Sequence, residues 1–163
     1  MTTKKKITEN FSVKEMTASD TATKEKIANV PSAEILEALT FLCEQVLEPV
    51  RAHFGKPVKV SSGFRSDKLN SRIGGATNSL HTKGQAVDFE IEGIDNKELA
   101  EWVKNNCKYD QIILEYYVDN NGKPSNDGWV HVSVRKVESN RKELLTATKD
   151  GKRTKYTPVK SFK

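Results

Sequence analysis

Apolar residues recur at helical spacing through one long stretch of the chain. Ile35, Leu36, Leu39, Leu42, Val46, Leu47 and Val50 share one face of a helix that opens at Ser32 and is ended by Gly55 and Pro57. Before it, Ser12-Val-Lys-Glu15 has the form of a capping box and predicts a short helix. Thr17 to Val30 is polar and small, which predicts a loop with a helical turn. Beyond the long helix the pattern shortens. Val58 to Ser61 predicts a strand, Gly63 to Gly75 a loop with a short helix, and Gln85 to Ile91 a second strand. Asp95, with Glu98 three positions on, predicts a capped helix running to about Asn105. Gln111 to Tyr117 and Trp129 to Val134 are β-rich, and a polar loop with Asn121-Gly122 and Pro124 separates them as in a long hairpin. Near the end, Leu144 to Lys149 precedes Asp150-Gly151, a tight-turn signal, so residues 140–163 form either a terminal hairpin or a tail.

These elements predict an α+β fold with helices packed on an antiparallel sheet. A chain of 163 residues suits one domain with one core. Residues 1–9 are expected to be a flexible basic N-terminus. No apolar run nears the roughly 18 residues a membrane span needs. The lysines at the start lack the apolar stretch a signal peptide requires, so no export signal is expected.

Hydrophobic residues make up 36% and charged residues 30%, with a net charge of +5. That excess favours an anionic partner or simply a solvated lysine-rich surface. Zinc-finger, RNA-binding and helix-turn-helix patterns are missing from the sequence, so a nucleic-acid partner is not expected. Cys43 and Cys107 form no Cys-x-x-Cys pair, which argues against a cysteine metal cluster and leaves a disulfide between them open. Cys43 falls within the apolar helix and is expected in the core.

Two of the three histidines stand in informative places. His81 lies in Ser79-Leu-His-Thr-Lys-Gly84-Gln-Ala86-Val-Asp88, a loop leading into a strand, and Gly84 lets the chain turn back so that His81 and Asp88 converge. His131, in Trp129-Val-His-Val-Ser133, would close the site from another strand. Two imidazoles and a carboxylate suit a catalytic zinc, which takes three protein ligands and keeps a fourth position for water. Histidines in strands are also commonly structural, so spacing alone leaves both readings open. His53 matches no motif and is expected in packing or at the surface, and Trp102 in the core.

Ser79-x-His81-x-x-Gly84-x-Ala86-x-Asp88 resembles the signature of the D-Ala-D-Ala carboxypeptidase and dipeptidase family of zinc peptidases, peptidase family M15. Ser61-Ser-Gly63-Phe-Arg65-Ser66 resembles that family's Ser-Gly-Tyr-Arg-Ser segment, and Trp129-Val-His131-Val-Ser its C-terminal histidine motif. The compact members found in phages and prophages are the most similar, including at Asn10-Phe-Ser-Val-Lys-Glu-Met and the Leu-Leu-Thr-Ala-Thr-Lys run. The resemblance implies a single zinc peptidase domain over residues 1–163, with Zn2+ held by His81, Asp88 and His131. It implies that Arg65 binds the substrate carbonyl or carboxylate and stabilises the oxyanion, that Ser79 orients the loop, and that Trp129 walls the cleft. The implied substrate is peptidoglycan or its stem peptides, cut by a monomer as carboxypeptidase or endopeptidase. The implied setting is synthesis in the bacterial cytoplasm and action on the wall after release, in a phage or prophage context. The alternative is a zinc-containing module of the same fold, as in the signalling domain of Hedgehog proteins, that binds wall peptides without cutting them.

One position departs from the family. The dipeptidase branch carries Glu or Asp three residues before the last histidine, where this chain has Gly128. A general base must then come from elsewhere. Glu115 shares a strand face with Gln111 and Ile113 and would face His131 if the two strands pair; Asp127 is the second candidate.

Overall fold

The computed structural model describes residues 5–136 and 139–163. Two short strands, β1 (Lys6–Thr8) and β2 (Phe11–Ser12), form an antiparallel pair at the start. The flexible segment expected over residues 1–9 is therefore a strand over part of its length, while residues 1–4 lie outside the described residues. The capping box forms as expected: Ser12 Oγ accepts from Glu15 N, and Glu15 Oε1 from Ser12 N, opening α1 (Val13–Thr17). Ser19 caps a further short helix, α2 (Asp20–Glu25), within the stretch expected to be mostly loop.

The long helix is interrupted. It runs as α3 (Ala33–Leu42), a π-helical turn (Cys43–Leu47) and α4 (Glu48–Phe54), and closes at Gly55 in the left-handed conformation. Pro49 explains the break: it has no N–H for the carbonyl four residues back, and its ring would crowd that carbonyl. Widening the helix by one residue relieves the clash and keeps Val46, Leu47 and Val50 in the core.

Six strands form the main sheet in the order β3-β4-β6-β5-β7-β8, with β3 (Lys59–Ser62), β4 (Ala86–Glu90), β5 (Gln111–Glu115), β6 (Trp129–Ser133), β7 (Glu143–Asp150) and β8 (Arg153–Pro158). Between β3 and β4 lie α5 (Asp67–Arg72) and a 3-10 turn (Leu80–Lys83); α6 (Asn96–Asn106) follows β4, capped by Asp95. The class is α+β. The sheet is antiparallel except at β5 and β7, which run parallel. The terminal hairpin is β7 and β8, turning at Gly151.

Strand alternation divides the sheet into two unlike faces. Val87, Phe89, Ile112, Leu114, Val130, Val132 and Leu144 point to one face and join Leu39, Leu42, Val46, Leu99 and Val103 of the helices in the core. Asp88, His131, Ile113 and Leu145 occupy the other face in cross-strand register. Covering only one face of the sheet leaves the second as the floor of a cleft.

The parallel pairing needs the chain leaving β6 to pass the end of β5 before entering β7, and Asp110 clamps that crossing. Its buried carboxylate accepts from Arg141 N at 2.8 Å and from Arg141 Nη2 at 2.8 Å, with Arg135 nearby. Burial alone would raise the pKa of Asp110, but the bonds from Arg141 outweigh it and hold the carboxyl below its ordinary value. Asp110→Ala should lower unfolding stability by about 2 kcal/mol in urea titrations, the worth of hydrogen bonds to a charged group, with little Coulombic gain because Arg141 is half exposed. A depressed pKa stabilises the fold only where the carboxyl is ionised, so the gap between wild type and variant should close as pH falls below about 4. A gap that widens in acid would contradict the clamp.

Candidate metal centre and cleft

Each site residue is placed by a local constraint. Ser79 caps the 3-10 turn, its Oγ accepting from His81 N at 3.2 Å. Gly84 ends the turn at φ +71°, and a Cβ there would press on the Ile35 carbonyl of α3. The chain therefore reverses where the sequence predicts, and Asp88 follows on β4. The Arg65 backbone N–H donates to the His81 carbonyl at 3.1 Å, tying the loop after β3 to this turn. His131 lies directly opposite Asp88 in the β4–β6 register.

His81, Asp88 and His131 each offer one ligand atom, and these atoms lie within 4.8 Å of one another. His81 Nδ1 donates to the Gly63 carbonyl at 2.7 Å, which leaves Nε2 unprotonated and 3.4 Å from Asp88 Oδ2. His131 Nδ1 is 2.8 Å from Asp88 Oδ1. Burial pushes the His81 pKa down, favouring the neutral ring a metal needs. Burial alone would raise Asp88, but the two imidazoles outweigh it and keep the carboxylate ionised. For His131 burial acts downward, and the bond to Asp88 reverses the shift. One fixed tautomer, one anionic oxygen and a second imbedded ring form a donor set that fits zinc.

The cleft around this cluster has a volume of about 770 Å³ and is lined by Arg65, Ser79, Glu115 and Trp129 as well. Arg65 is partly buried, and its Nε has no hydrogen-bond partner among the described residues. Burial lowers its pKa while Asp88 and Glu115 raise it, and a guanidinium stays charged throughout. Glu115 pairs with Trp129 across β5 and β6, and its Oε2 accepts a hydrogen bond from Trp129 Nε1. Burial and then the Asp88 charge push the Glu115 pKa above the ordinary carboxylate value. The Trp129 ring meets Tyr116 edge-on at 5.4 Å.

Seven of the eight residues singled out from sequence thus share one cleft. Asp127 does not: it is exposed and absent from the cleft lining, and its carbonyl accepts from Asn96 Nδ2 at 3.2 Å. The sequence reading also passed over Leu145 and Tyr156, which line the cleft because β7 and β8 extend its floor past β5, and Tyr116, which lines it just beyond the end of β5. Strand alternation marks the face of Leu145 and Tyr156, but only the pairing order brings them to the site. Asn78 lines the cleft, whereas Asn70 is buried and braces the turn by donating to the Ala76 carbonyl. Cys43 and Cys107 are free thiols; burial pushes Cys43 to about 12 and Cys107 to about 11, so neither is a ready nucleophile. His53 stacks on Trp102 at 4.5 Å, away from the cleft. Among the described residues no helix is long and apolar enough to cross a membrane.

Three side chains able to hold a metal ion converge in the floor of a cleft, an arrangement that fits the class of metal-dependent hydrolases. A sequence model of the family described as Peptidase M15 matches residues 9–133, and the chain belongs to that family. Over 44 residues it is 52% identical to the peptidoglycan L,D-endopeptidase MepK of Escherichia coli K12, a match covering 24% of either chain. Over another 44-residue match it is 48% identical to the zinc D-Ala-D-Ala carboxypeptidase of Streptomyces albus G, covering 26% of this chain and 17% of that enzyme. The chain is thus aligned to a quarter or less of the length of these relatives.

Proposed function

We propose that this protein is a zinc peptidase that hydrolyses a peptide bond in the stem peptides of bacterial peptidoglycan. The observation that carries the reading is the convergence of His81, Asp88 and His131 on one point in a cleft that also holds Arg65 and Glu115. The relatives' named activities on peptidoglycan and D-Ala-D-Ala support the substrate class.

His81, Asp88 and His131 hold the metal. Zinc, when bound, polarises the scissile carbonyl and acidifies a water. Glu115 takes the proton from the attacking water and returns it to the leaving amine, roles suited to a carboxyl whose pKa is raised. Trp129 holds one Glu115 oxygen, and Glu115 lines the cleft with the other not engaged by Trp129. Arg65, with an unpartnered buried N–H, pairs with the substrate carbonyl oxygen as charge builds on it. Ser79 fixes the turn that aims His81.

The test pairs metal content with release of amino groups from purified peptidoglycan. One zinc per chain is expected, with hydrolysis lost on chelation and restored by zinc. Free D-alanine as product would identify a carboxypeptidase, and two peptide fragments an endopeptidase. Zinc without hydrolysis would identify a binding module instead, and a chain that takes up no metal would overturn the reading.

A further inference from the structure

The family match ends at residue 133, yet the cleft does not. The hairpin of β7 and β8 adds Leu145, Thr154 and Tyr156 to its lining. Glu115 pairs with Ala147 on β7, and Ala147 with Tyr156 on β8. Neighbouring strands lie about 4.8 Å apart, which puts Tyr156 roughly 10 Å from Glu115 along the sheet. The residue between them is alanine, fully buried beneath its neighbours, so no long side chain rises from β7 between Glu115 and Tyr156. Tyr156 and Glu115 line the same cleft, a span that a bound peptide can bridge.

The chemistry of this tyrosine differs from that of its neighbours. The Tyr116 hydroxyl is bonded to Thr154 Oγ1 at 2.6 Å, and the Tyr117 hydroxyl donates to Asp95 at 2.8 Å. The Tyr156 hydroxyl has no hydrogen-bond partner among the described residues, and the residue is 52% exposed. A large aromatic in the cleft lining, half in solvent and with its polar end free, is available to a ligand bound there. Burial, then Glu115, Tyr116 and Asp88, push its pKa upward, in keeping with a hydroxyl that lies near the acidic centre and remains a donor.

Resting on the peptidase reading above, we propose that the Tyr156 hydroxyl is a substrate-binding group, donating a hydrogen bond to a backbone carbonyl of the bound peptide. It works from the bank opposite Arg65, since β3, which leads to Arg65, and β8 are the two edges of the sheet. The terminal hairpin is then part of the substrate site and carries selectivity that the family-matched segment does not encode.

The experiment compares zinc-loaded wild type with Tyr156→Phe, which keeps the ring and deletes only the hydroxyl. A synthetic stem peptide ending in D-Ala-D-Ala is used both for steady-state hydrolysis and for a binding titration followed by tryptophan fluorescence, with thermal melting as the control for folding. Loss of one substrate hydrogen bond should raise KM and the dissociation constant together, by roughly three- to tenfold, and leave kcat within about twofold. Equal KM and equal binding in the two proteins would overturn the proposal, as would a change explained by a lower melting temperature. If wild type binds the peptide without cutting it, the peptidase reading fails while the ratio of dissociation constants still decides the role of Tyr156. If wild type neither binds nor cuts, both fail.

Discussion

Replacing Glu115 by glutamine should cut hydrolysis of wall peptides by roughly a hundred- to ten-thousand-fold, the usual worth of a positioned general base. The same variant should keep its zinc and its melting temperature. Glutamine has the size of glutamate and retains an oxygen that can accept the Trp129 N–H, so the β5–β6 contact survives. What it loses is the capacity to take a proton. An unchanged rate would rule out Glu115 as the base. The parallel change at Asp127 should leave hydrolysis untouched, because that side chain is exposed and outside the cleft.

Gly128→Ala should destabilise the protein by about 3 kcal/mol or more, measured as a shift in the urea midpoint with an unchanged slope. Two costs combine. The backbone stands at φ +74°, which an L side chain adopts with strain, and an added Cβ would overlap the Glu115 carbonyl oxygen and approach the Tyr116 carbonyl carbon to 2.8 Å. Those neighbours are backbone and cannot rotate away. A variant as stable as wild type would mean that the β5–β6 connection gives way more readily than this contact implies. The same geometry bears on where the base resides. A carboxylate on residue 128, three before His131, would have to displace the strand end that carries Glu115. In this chain the fold has no room for a side chain at 128, and Glu115 on β5 is the carboxyl that lines the cleft beside His131.

Local signals were sufficient for the ends of the main helices and for the turn between His81 and Asp88. Ser12 and Glu15, Ser32, Asp95 and Gly55 act within a few residues of themselves, and each caps or ends the helix expected of it. The His81–Gly84–Asp88 turn is equally local, because one glycine sets the reversal. The convergence of His131 needed only that β4 and β6 be neighbours. The family resemblance implied the ligand set; alternation alone does not name a strand's partner. The same limit hid the parallel pairing of β5 and β7, and with it Leu145 and Tyr156. Pairing order is decided by the whole core and by the Asp110 clamp, whose members lie about thirty residues apart. The π-helical turn was written in the sequence as Pro49, but the unbroken apolar stripe concealed it.

The metal ligands and the cleft walls belong to different levels of local stability. Asp88 and His131 sit on β4 and β6, each paired on both sides, so their backbone separates only when the centre of the sheet opens. Tyr156 is on the edge strand, and the opposite rim at Ile73 and Gly74 is exposed loop. Amide protons on the floor therefore exchange through rare, near-global openings, and those on the rims through frequent local ones. The spacing of Asp88 and His131 is thus set by the sheet itself, while the rims of the cleft keep the freedom to adjust. Substitutions can gather at the rims at little cost to the fold, and the floor has no comparable freedom.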